Sequence, residues 1–227
     1  MANIGVGDGT YFEKWYADRD WRFYRAILSE VIFYSEPGPI LDVGAGTGLL
    51  VEAALRWGLH CVGIEGSGEA VEIGRQRYPN LSLRRHLLSE PLPFADESFQ
   101  TVLMNQVIEH LEPNVARYTV SETVRVLRPN GMVMITSPSR FNKYERMADP
   151  THINMYSPTE LHNLVASAGF RDIVATDYPL DLLGQNYVSR KVMSLLFPLT
   201  RWDHLSATAN CRGYKRPAEA DSVQNQC

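Results

Sequence analysis

A glycine-rich segment at residues 41–50, with the sequence LDVGAGTGLL, limits the fold of this chain more than any other feature. Gly44, Gly46 and Gly48 occupy alternate positions directly after a short apolar run, which predicts a buried strand. Glycine permits sharp backbone turns and a close approach of the backbone to a ligand. A helix that begins at Leu49 would point its free N–H groups towards that ligand. The segment therefore predicts a strand, a ligand-binding loop and a helix in immediate succession.

A second strand is predicted at residues 60–65, and it ends in Glu65. A carboxylate at that place can accept hydrogen bonds from both hydroxyls of a ribose. Dinucleotide-binding loops prefer the spacing G-x-G-x-x-G, whereas this chain has Leu49 at the position of the last glycine. Asp42, which precedes the loop, would repel a pyrophosphate and attract an amino group. These residues favour a nucleoside with a cationic end over a dinucleotide.

Strand and helix patterns alternate along most of the chain, which predicts an α/β fold. Strands separated by helices of this length form right-handed crossovers and a mainly parallel sheet, with the ligand site at the carboxyl ends of the strands. The predicted strands are residues 39–43, 60–65, 81–87, 98–105, 131–138 and 170–178, with a last edge strand at 204–216. The predicted helices are residues 49–58, 67–79, 114–131 and 157–169.

Five segments, in this order, resemble the motifs of class I S-adenosylmethionine-dependent methyltransferases, in the type-11 branch that includes quinone-pathway and small-molecule methyltransferases. The glycine loop is similar to the first motif of that family, and Glu65-Gly66-Ser67 is similar to its ribose-binding acidic turn. The other three segments are LPFADESFQTVLMNQVIEHL (92–111), VLRPNGMVMITSPS (126–139) and HINMYSPTELHNLVASAGF (152–170). The resemblance covers residues 38–178. It implies a Rossmann-like three-layer sandwich with a mostly parallel seven-stranded sheet and an antiparallel last strand.

The same resemblance implies S-adenosylmethionine as the cofactor and suggests how the chain would hold it. The glycine loop would hold the methionine and ribose parts, Glu65 would bind the ribose, and Asn105 would line the methionine side near the transferring methyl group. The family often has an acidic residue for the adenine where this chain has Leu87-Leu88, so backbone groups and apolar packing would hold the adenine here. The expected cofactor-binding residues are Asp42, Gly44, Ala45, Gly46, Thr47, Gly48, Glu65, Gly66, Leu88 and Asn105.

His110 and His152 are the two candidates for a catalytic base, which a hydroxyl acceptor would need in order to lose its proton. A structural role for His110 within its own loop is the alternative. Some relatives bind a metal through Glu-x-x-Glu-His, and Glu109, His110 and His152 could form such a cluster. Gln106 stands at the first position here, and a neutral amide is a poor ligand for a hard cation. We therefore expect no resident metal.

Residues 37–216 form the predicted methyltransferase domain, and three segments differ from it in pattern. Residues 1–36 are rich in aromatic side chains and predict a helical segment that either packs on the core or covers the cofactor as a lid. Residues 179–203 predict a helical insert, which would pack on the sheet, cover the acceptor pocket or contact a membrane surface weakly. Residues 217–227 are polar and are predicted to be disordered.

Charge and cysteine usage limit the partners and the compartment. A net charge of −4 disfavours nucleic acid as a partner, and three widely spaced cysteines fit a reducing cytosol. The N-terminal residues lack the pattern of a secretory signal, so we expect a cytoplasmic location. The predicted function is methyl transfer from S-adenosylmethionine to a small-molecule or lipid-linked acceptor, with oxygen favoured over nitrogen or carbon. An NAD-linked oxidoreductase and an S-adenosylmethionine-binding protein without turnover are the alternatives.

Overall fold

The structure of the chain is a computed structural model that describes residues 19–179 and 206–217. The predicted lid falls within these ranges only from residue 19 onwards. The predicted insert at 179–203 and the predicted tail at 217–227 lie outside them, apart from their first residues. The division of the chain into lid, domain, insert and tail therefore stays a prediction.

A seven-stranded sheet forms the middle layer, and its strands are β1 (Ile40–Val43), β2 (Cys61–Glu65), β3 (Leu83–Arg85), β4 (Phe99–Asn105), β5 (Leu127–Pro138), β6 (Arg171–Pro179) and β7 (Ser206–Tyr214). The order of the strands across the sheet is β3-β2-β1-β4-β5-β7-β6. Neighbours from β3 to β5 are parallel, whereas β7 is antiparallel to both β5 and β6. The predicted α/β Rossmann-like fold with an antiparallel last strand is confirmed.

Helices lie on both faces of the sheet, and they are α1 (Arg25–Tyr34), α2 (Leu49–Arg56), α3 (Gly68–Arg77), α4 (Pro113–Val126), α5 (Lys143–Ala148) and α6 (Pro158–Ser167). Leu28 of α1 and Val71 of α3 belong to one buried apolar cluster. Val120 of α4 and Leu161 of α6 belong to a second cluster. The two clusters make the three layers of a sandwich. Within the described ranges, the chain has no helix that is both long enough and apolar enough to cross a bilayer.

The ends of the helices follow the local sequence where a capping residue is present. Ser157 caps α6 through its side chain, which accepts from the backbone N of Glu160, and the carboxylate of Glu160 accepts from the backbone N of Ser157 at 2.8 Å. Such a reciprocal pair satisfies two N–H groups that would otherwise lack partners at the start of the helix. The sequence pattern predicted this start. It did not indicate α5, which has only six residues.

Arg125, near the end of α4, holds the loop that leads into β4. Its guanidinium donates to the carbonyl oxygens of Leu92 and Phe94 at 2.9 and 2.8 Å, and to the carboxylate of Asp96 at 2.9 Å. Glu122, one turn earlier on the helix, pairs with the same guanidinium at 2.7 Å. The hydrogen bonds from Arg125 lower the pKa of Glu122. The planar guanidinium of Arg125 thus connects the helix to three points of the loop. The compact ammonium group of a lysine could not reach all three in this geometry.

We expect Arg125→Lys to lower the free energy of unfolding by about 2 kcal/mol, because the two carbonyl oxygens would lose charged donors. Denaturant unfolding at neutral pH measures this change. Arg117→Lys is the matched control, since Arg117 lies on the same helix with an exposed side chain. A loss below about 0.5 kcal/mol for Arg125→Lys would show that the loop keeps its place without the fork.

Candidate cofactor and acceptor site

The glycine loop connects β1 to α2 in a conformation that only glycine adopts readily. Gly44, Gly46 and Gly48 have φ angles of +73°, +55° and +79°. The backbone N–H groups of Gly44 and Ala45 donate to the carbonyl oxygen of Ile64 at 2.8 and 2.9 Å, which fixes the loop to the end of β2. Left-handed backbone is costly for residues with a Cβ atom. The three glycines are therefore required by the backbone conformation itself.

Glu65 reaches from the end of β2 into the glycine loop. One carboxylate oxygen accepts from the backbone N of Gly46 at 2.9 Å, and the other accepts from the backbone N of Ser67 at 2.8 Å. Burial raises the pKa of Glu65, and the backbone hydrogen bonds, including one from Gly66, act against that rise. The order of the segments along the chain predicted that Glu65 and the loop would meet. It did not predict that the carboxylate would also hold the loop.

A small cleft opens between the loop and the ends of β1 and β4. It is lined by Tyr24, Asp42, Gly44, Ala45, Leu50 and Asn105. Four of these were predicted as cofactor-binding residues. Tyr24, which precedes α1, and Leu50 of α2 were not predicted, and the aromatic segment around Tyr24 gave only a general indication of its position.

Asp42 is a buried carboxyl group at the floor of this cleft, with 2% of its surface exposed. Burial and the nearby charge of Glu65 raise the pKa of Asp42 to about 7. Asn105 stands at the end of β4, and its side-chain oxygen accepts from the hydroxyl of Thr136 at 2.6 Å. That bond turns the amide so that its nitrogen can donate to a ligand. A carboxylate and an amide donor beside a glycine loop suit an amino acid group.

The remaining predicted cofactor residues lie along the same edge of the sheet. Thr47 is buried within the loop. The carbonyl oxygen of Gly66 lies 3.5 Å from the side chain of Arg85, just after β2. Leu88 is partly buried against the core, in the loop that follows β3. This placement is compatible with the predicted apolar support for an adenine.

Val107 and Gly74, which the sequence pattern did not indicate, lie close against the glycine loop and limit its position. Val107 follows β4, and a Cβ atom added to Gly44 would lie 2.4 Å from its side chain. Gly74 of α3 faces the loop, and a Cβ atom there would lie 2.5 Å from the carbonyl oxygen of Thr47. Glycine inside a helix costs about 1 kcal/mol relative to alanine. An unfavourable glycine inside a predicted helix was the only indication in the sequence that Gly74 has a special role.

His110 and His152, the two predicted base candidates, lie together beyond the end of β4. Their ring centroids are 4.8 Å apart. Burial and the proximity of His152 lower the pKa of His110 to about 4. His110 is therefore neutral at physiological pH, and it is a weak base because its conjugate acid gives up a proton easily. The structure brings both candidates to one place, and that place is connected to the cofactor loop through Val107.

Glu109 lies beside the two histidines and is fully buried. Burial raises the pKa of Glu109 to about 8. Ligand atoms of Glu109, His110 and His152 lie within 4.8 Å of one another, so these three residues could hold a metal ion. The sequence led us to expect no metal here, because Gln106 replaces the first acidic residue of the motif.

Comparison with known proteins agrees with this geometry. The methyltransferase domain family matches residues 41–135. A probable S-adenosylmethionine-dependent methyltransferase of Mycolicibacterium smegmatis is 33% identical over 134 residues, which are 58% of this chain and 51% of that protein. The ubiquinone/menaquinone biosynthesis C-methyltransferase of Geotalea daltonii is 34% identical over 126 residues, which are 52% of each protein. The chain thus spans about half the length of the curated relatives it matches.

A solved structure extends the similarity in fold beyond the matched domain. The S-adenosylmethionine-dependent methyltransferase of Archaeoglobus fulgidus superimposes with a TM-score of 0.69 at 18% identity, and the alignment covers 91% of this chain and 98% of that chain. At this identity the likeness shows a common fold, with the glycine loop and Glu65 at the expected edge of the sheet. Residues 41–135 therefore match the methyltransferase domain family, and in this part the chain is similar to S-adenosylmethionine-dependent methyltransferases.

Proposed function

We propose that the chain transfers a methyl group from S-adenosylmethionine to a small-molecule or lipid-linked acceptor, with oxygen as the methylated atom. The observation that carries the proposal is the partly buried Glu65 carboxylate, held against the glycine loop at 2.9 Å from the backbone N of Gly46. A carboxylate fixed at the end of the second parallel strand is placed to bind a ribose. The neighbouring Asp42 and Asn105 supply the charge and the donor for an amino acid group.

Each residue of the cofactor site has a distinct task in this proposal. Glu65 would accept from the ribose hydroxyls, Asp42 would attract the ammonium group, and the Asn105 amide would orient the carboxyl or sulfonium end. The sulfonium is already an activated methyl donor, so the protein needs mainly to align acceptor and methyl group and to exclude water. Alignment of two reactants supplies several kcal/mol of catalysis, on the order of 7–11 in favourable cases.

The preference for oxygen rests on the histidine pair. An acceptor hydroxyl must lose a proton as the methyl group arrives, and His152, whose ring centroid lies 4.8 Å from that of the weakly basic His110, is the candidate to take it. The relative from Geotalea daltonii is named as a C-methyltransferase, which makes carbon the second candidate. A carbon acceptor would also need a base. Methylation of an amine would not, so the cluster favours the first two.

Calorimetric titration with S-adenosylmethionine, S-adenosylhomocysteine and NAD tests the cofactor. We expect both sulfur nucleosides to bind and NAD not to bind. Tight binding of NAD alone would support the oxidoreductase alternative and contradict the proposal. Turnover with a panel of phenols, alcohols, amines and activated carbon acids then separates an enzyme from a protein that binds the cofactor without transfer. Methylated phenol or alcohol is the expected product.

The charge of Asp42 predicts how cofactor affinity depends on pH. Because the pKa of Asp42 is about 7 in the folded chain, its carboxyl group is neutral below that pH and no longer attracts an ammonium group. We expect the dissociation constant for S-adenosylhomocysteine to rise about fivefold between pH 7 and pH 6. Asp42→Asn should bind more weakly at pH 8, with little dependence on pH. Equal pH dependence in both proteins would contradict this role.

The raised pKa of Asp42 also predicts that the stability of the fold depends on pH. Stability should fall as the pH rises, whereas cofactor affinity should increase. The folded chain binds the Asp42 proton more tightly than the unfolded chain does, because the pKa rises on folding from 3.8 to about 7. The free energy of unfolding therefore falls as the pH rises from about 4 to 7. Asp42→Asn removes this loss, so the variant should melt at a higher temperature than the unaltered chain at pH 8. Thermal unfolding without ligand measures the difference.

A further inference from the structure

The carboxyl group of Glu109 is buried, and the cofactor site does not use it. Glu109 lies in the single turn of 3₁₀-helix at Ile108–His110, directly after β4. It is 0% exposed, and neither of its carboxylate oxygens has a partner of good hydrogen-bond geometry within the described ranges, although the hydroxyl of Ser137 is close enough to act on the group. Carboxyl groups buried in this way are normally paired, hydrogen-bonded or bound to a metal. The described residues therefore satisfy the carboxyl group of Glu109 only in part.

Two imidazoles stand beside that carboxylate. One ligand atom from each of Glu109, His110 and His152 can be chosen so that all three lie within 4.8 Å of one another. The side chain of His152 is only 6% exposed. One carboxylate and two imidazoles form a donor set that binds divalent transition metals. Ligand atoms on one ion are about 3–3.5 Å apart at usual bond lengths, so a shift of about 1 Å would close the set.

The neighbours of the two histidines determine which ring nitrogens carry protons. Nδ1 of His110 lies 3.2 Å from the carbonyl oxygen of Thr151, and a carbonyl oxygen only accepts. Nδ1 therefore carries the proton, and Nε2 keeps its lone pair. In His152 the order is reversed, since Nε2 lies 3.5 Å from the carboxylate of Asp149. Nδ1 of His152 is buried and has no hydrogen-bond partner among the described residues.

Thr151 and Asp149 contact the two imidazole rings. Residues around a metal site commonly hold its histidine ligands in the same way. Asp149 accepts from the backbone N of Thr151 at 2.9 Å, which fixes the carboxylate that faces His152. The hydroxyl of Thr151 lies 3.0 Å from Nδ1 of His110. Such contacts orient a ligating imidazole and raise its basicity. In this arrangement, Nε2 of His110 and Nδ1 of His152 each carry a lone pair and no proton.

We propose that Glu109, Nε2 of His110 and Nδ1 of His152 bind a divalent transition metal such as Zn²⁺ or Mn²⁺. Mixed nitrogen and oxygen donors favour these ions over Mg²⁺ and Ca²⁺, which prefer oxygen alone. The sequence argument against a metal was Gln106, whose backbone N donates to the carbonyl oxygen of Thr136. Three protein ligands are sufficient without Gln106, and they leave at least one coordination position open.

The open position has a use that rests on the proposed function. An acceptor hydroxyl or phenol bound there would have its pKa lowered by the ion, so that a strong protein base would not be needed. The inference therefore narrows the acceptor to a molecule that presents an oxygen to the ion.

Calorimetric titration of the chelator-treated full chain with Zn²⁺, Mn²⁺ and Mg²⁺ tests the site. We expect one equivalent of Zn²⁺ to bind with a dissociation constant below about 1 µM, and Mg²⁺ to bind at least 100-fold more weakly. Co²⁺ in place of Zn²⁺ should give visible absorption bands. Glu109→Gln and His152→Asn should each weaken Zn²⁺ binding at least 100-fold. His162→Asn, at an exposed position on α6, should bind like the unaltered chain.

Circular dichroism and titration with S-adenosylhomocysteine on the same samples keep the outcomes separate. A variant that is folded, binds the nucleoside and has lost Zn²⁺ supports the metal site. Should Glu109→Gln fail to fold, His152→Asn and the Co²⁺ spectrum decide the question alone. Absence of Zn²⁺ binding in the unaltered chain, or undiminished binding in the variants, overturns the inference. Failure to bind the nucleoside would instead overturn the proposed function and leave the metal result intact.

Discussion

Glu65→Ala is expected to weaken binding of S-adenosylmethionine by at least 100-fold, which is about 2.7 kcal/mol. In the proposed complex the carboxylate accepts from two ribose hydroxyls, and each hydrogen bond to a charged group contributes about 1.5–3 kcal/mol. The loss has a second source. The Glu65 carboxylate also accepts from the backbone N of Gly46 at 2.9 Å, so the loop loses an anchor. Calorimetry at pH 8 measures the combined effect.

A second variant of Glu65 separates the loss of the ribose contact from the loss of the loop contact, and a variant of Glu90 serves as the control. Glu65→Gln keeps one acceptor oxygen and similar volume, so it should retain part of the loop contact and lose about tenfold in affinity. Glu90→Gln changes an exposed carboxylate after β3 and should bind normally. Since burial raises the pKa of Glu65, neutralising this group should not destabilise the fold through charge. Affinity within threefold of the unaltered chain in folded Glu65→Ala would contradict the assignment of Glu65 to the ribose.

The fold was predictable because buried segments of the chain are apolar, and apolar segments can be recognised in the sequence. All four residues of β1 are buried, and a run of apolar residues between turn signals predicts such a strand. Ser157 and Glu160 likewise predicted the start of α6. α5 was not predictable in this way, because Tyr144 and Met147 are exposed on it and it has no apolar stripe facing the core.

The candidate site was predictable only where chain order determines contact. Parallel strands bring the end of β2 beside the end of β1, so Glu65 had to lie near Gly46. The contact between His110 and His152 joins residues that are distant in sequence and depends on the path of the chain after β5. The burial of Glu109 was even less accessible, since an acidic residue between turns normally faces solvent. Its unusual position is a property of the tertiary structure.

Gly74→Ala is expected to lower cofactor affinity at least tenfold, although the residue touches no part of the predicted cofactor set except the loop backbone. An added Cβ atom would lie 2.5 Å from the carbonyl oxygen of Thr47 and 2.8 Å from the side chain of Leu83. The first contact is with backbone, which cannot turn aside as a flexible side chain can. The loop must therefore shift, and a shift of about 1 Å at a binding site can cost as much as 100-fold.

Gly68→Ala is the matched control for this prediction, because Gly68 belongs to the same helix, α3. A Cβ atom there would meet Arg85 at 3.5 Å, which is an ordinary contact. Alanine has the higher helix propensity, by about 1 kcal/mol inside a helix and by less at its first residue Gly68, so propensity alone predicts that both variants are more stable. The steric clash at Gly74 should cancel that gain and reduce affinity, whereas Gly68→Ala should gain stability and keep its affinity. If Gly74→Ala bound the cofactor normally, α3 could not be what fixes the position of the loop.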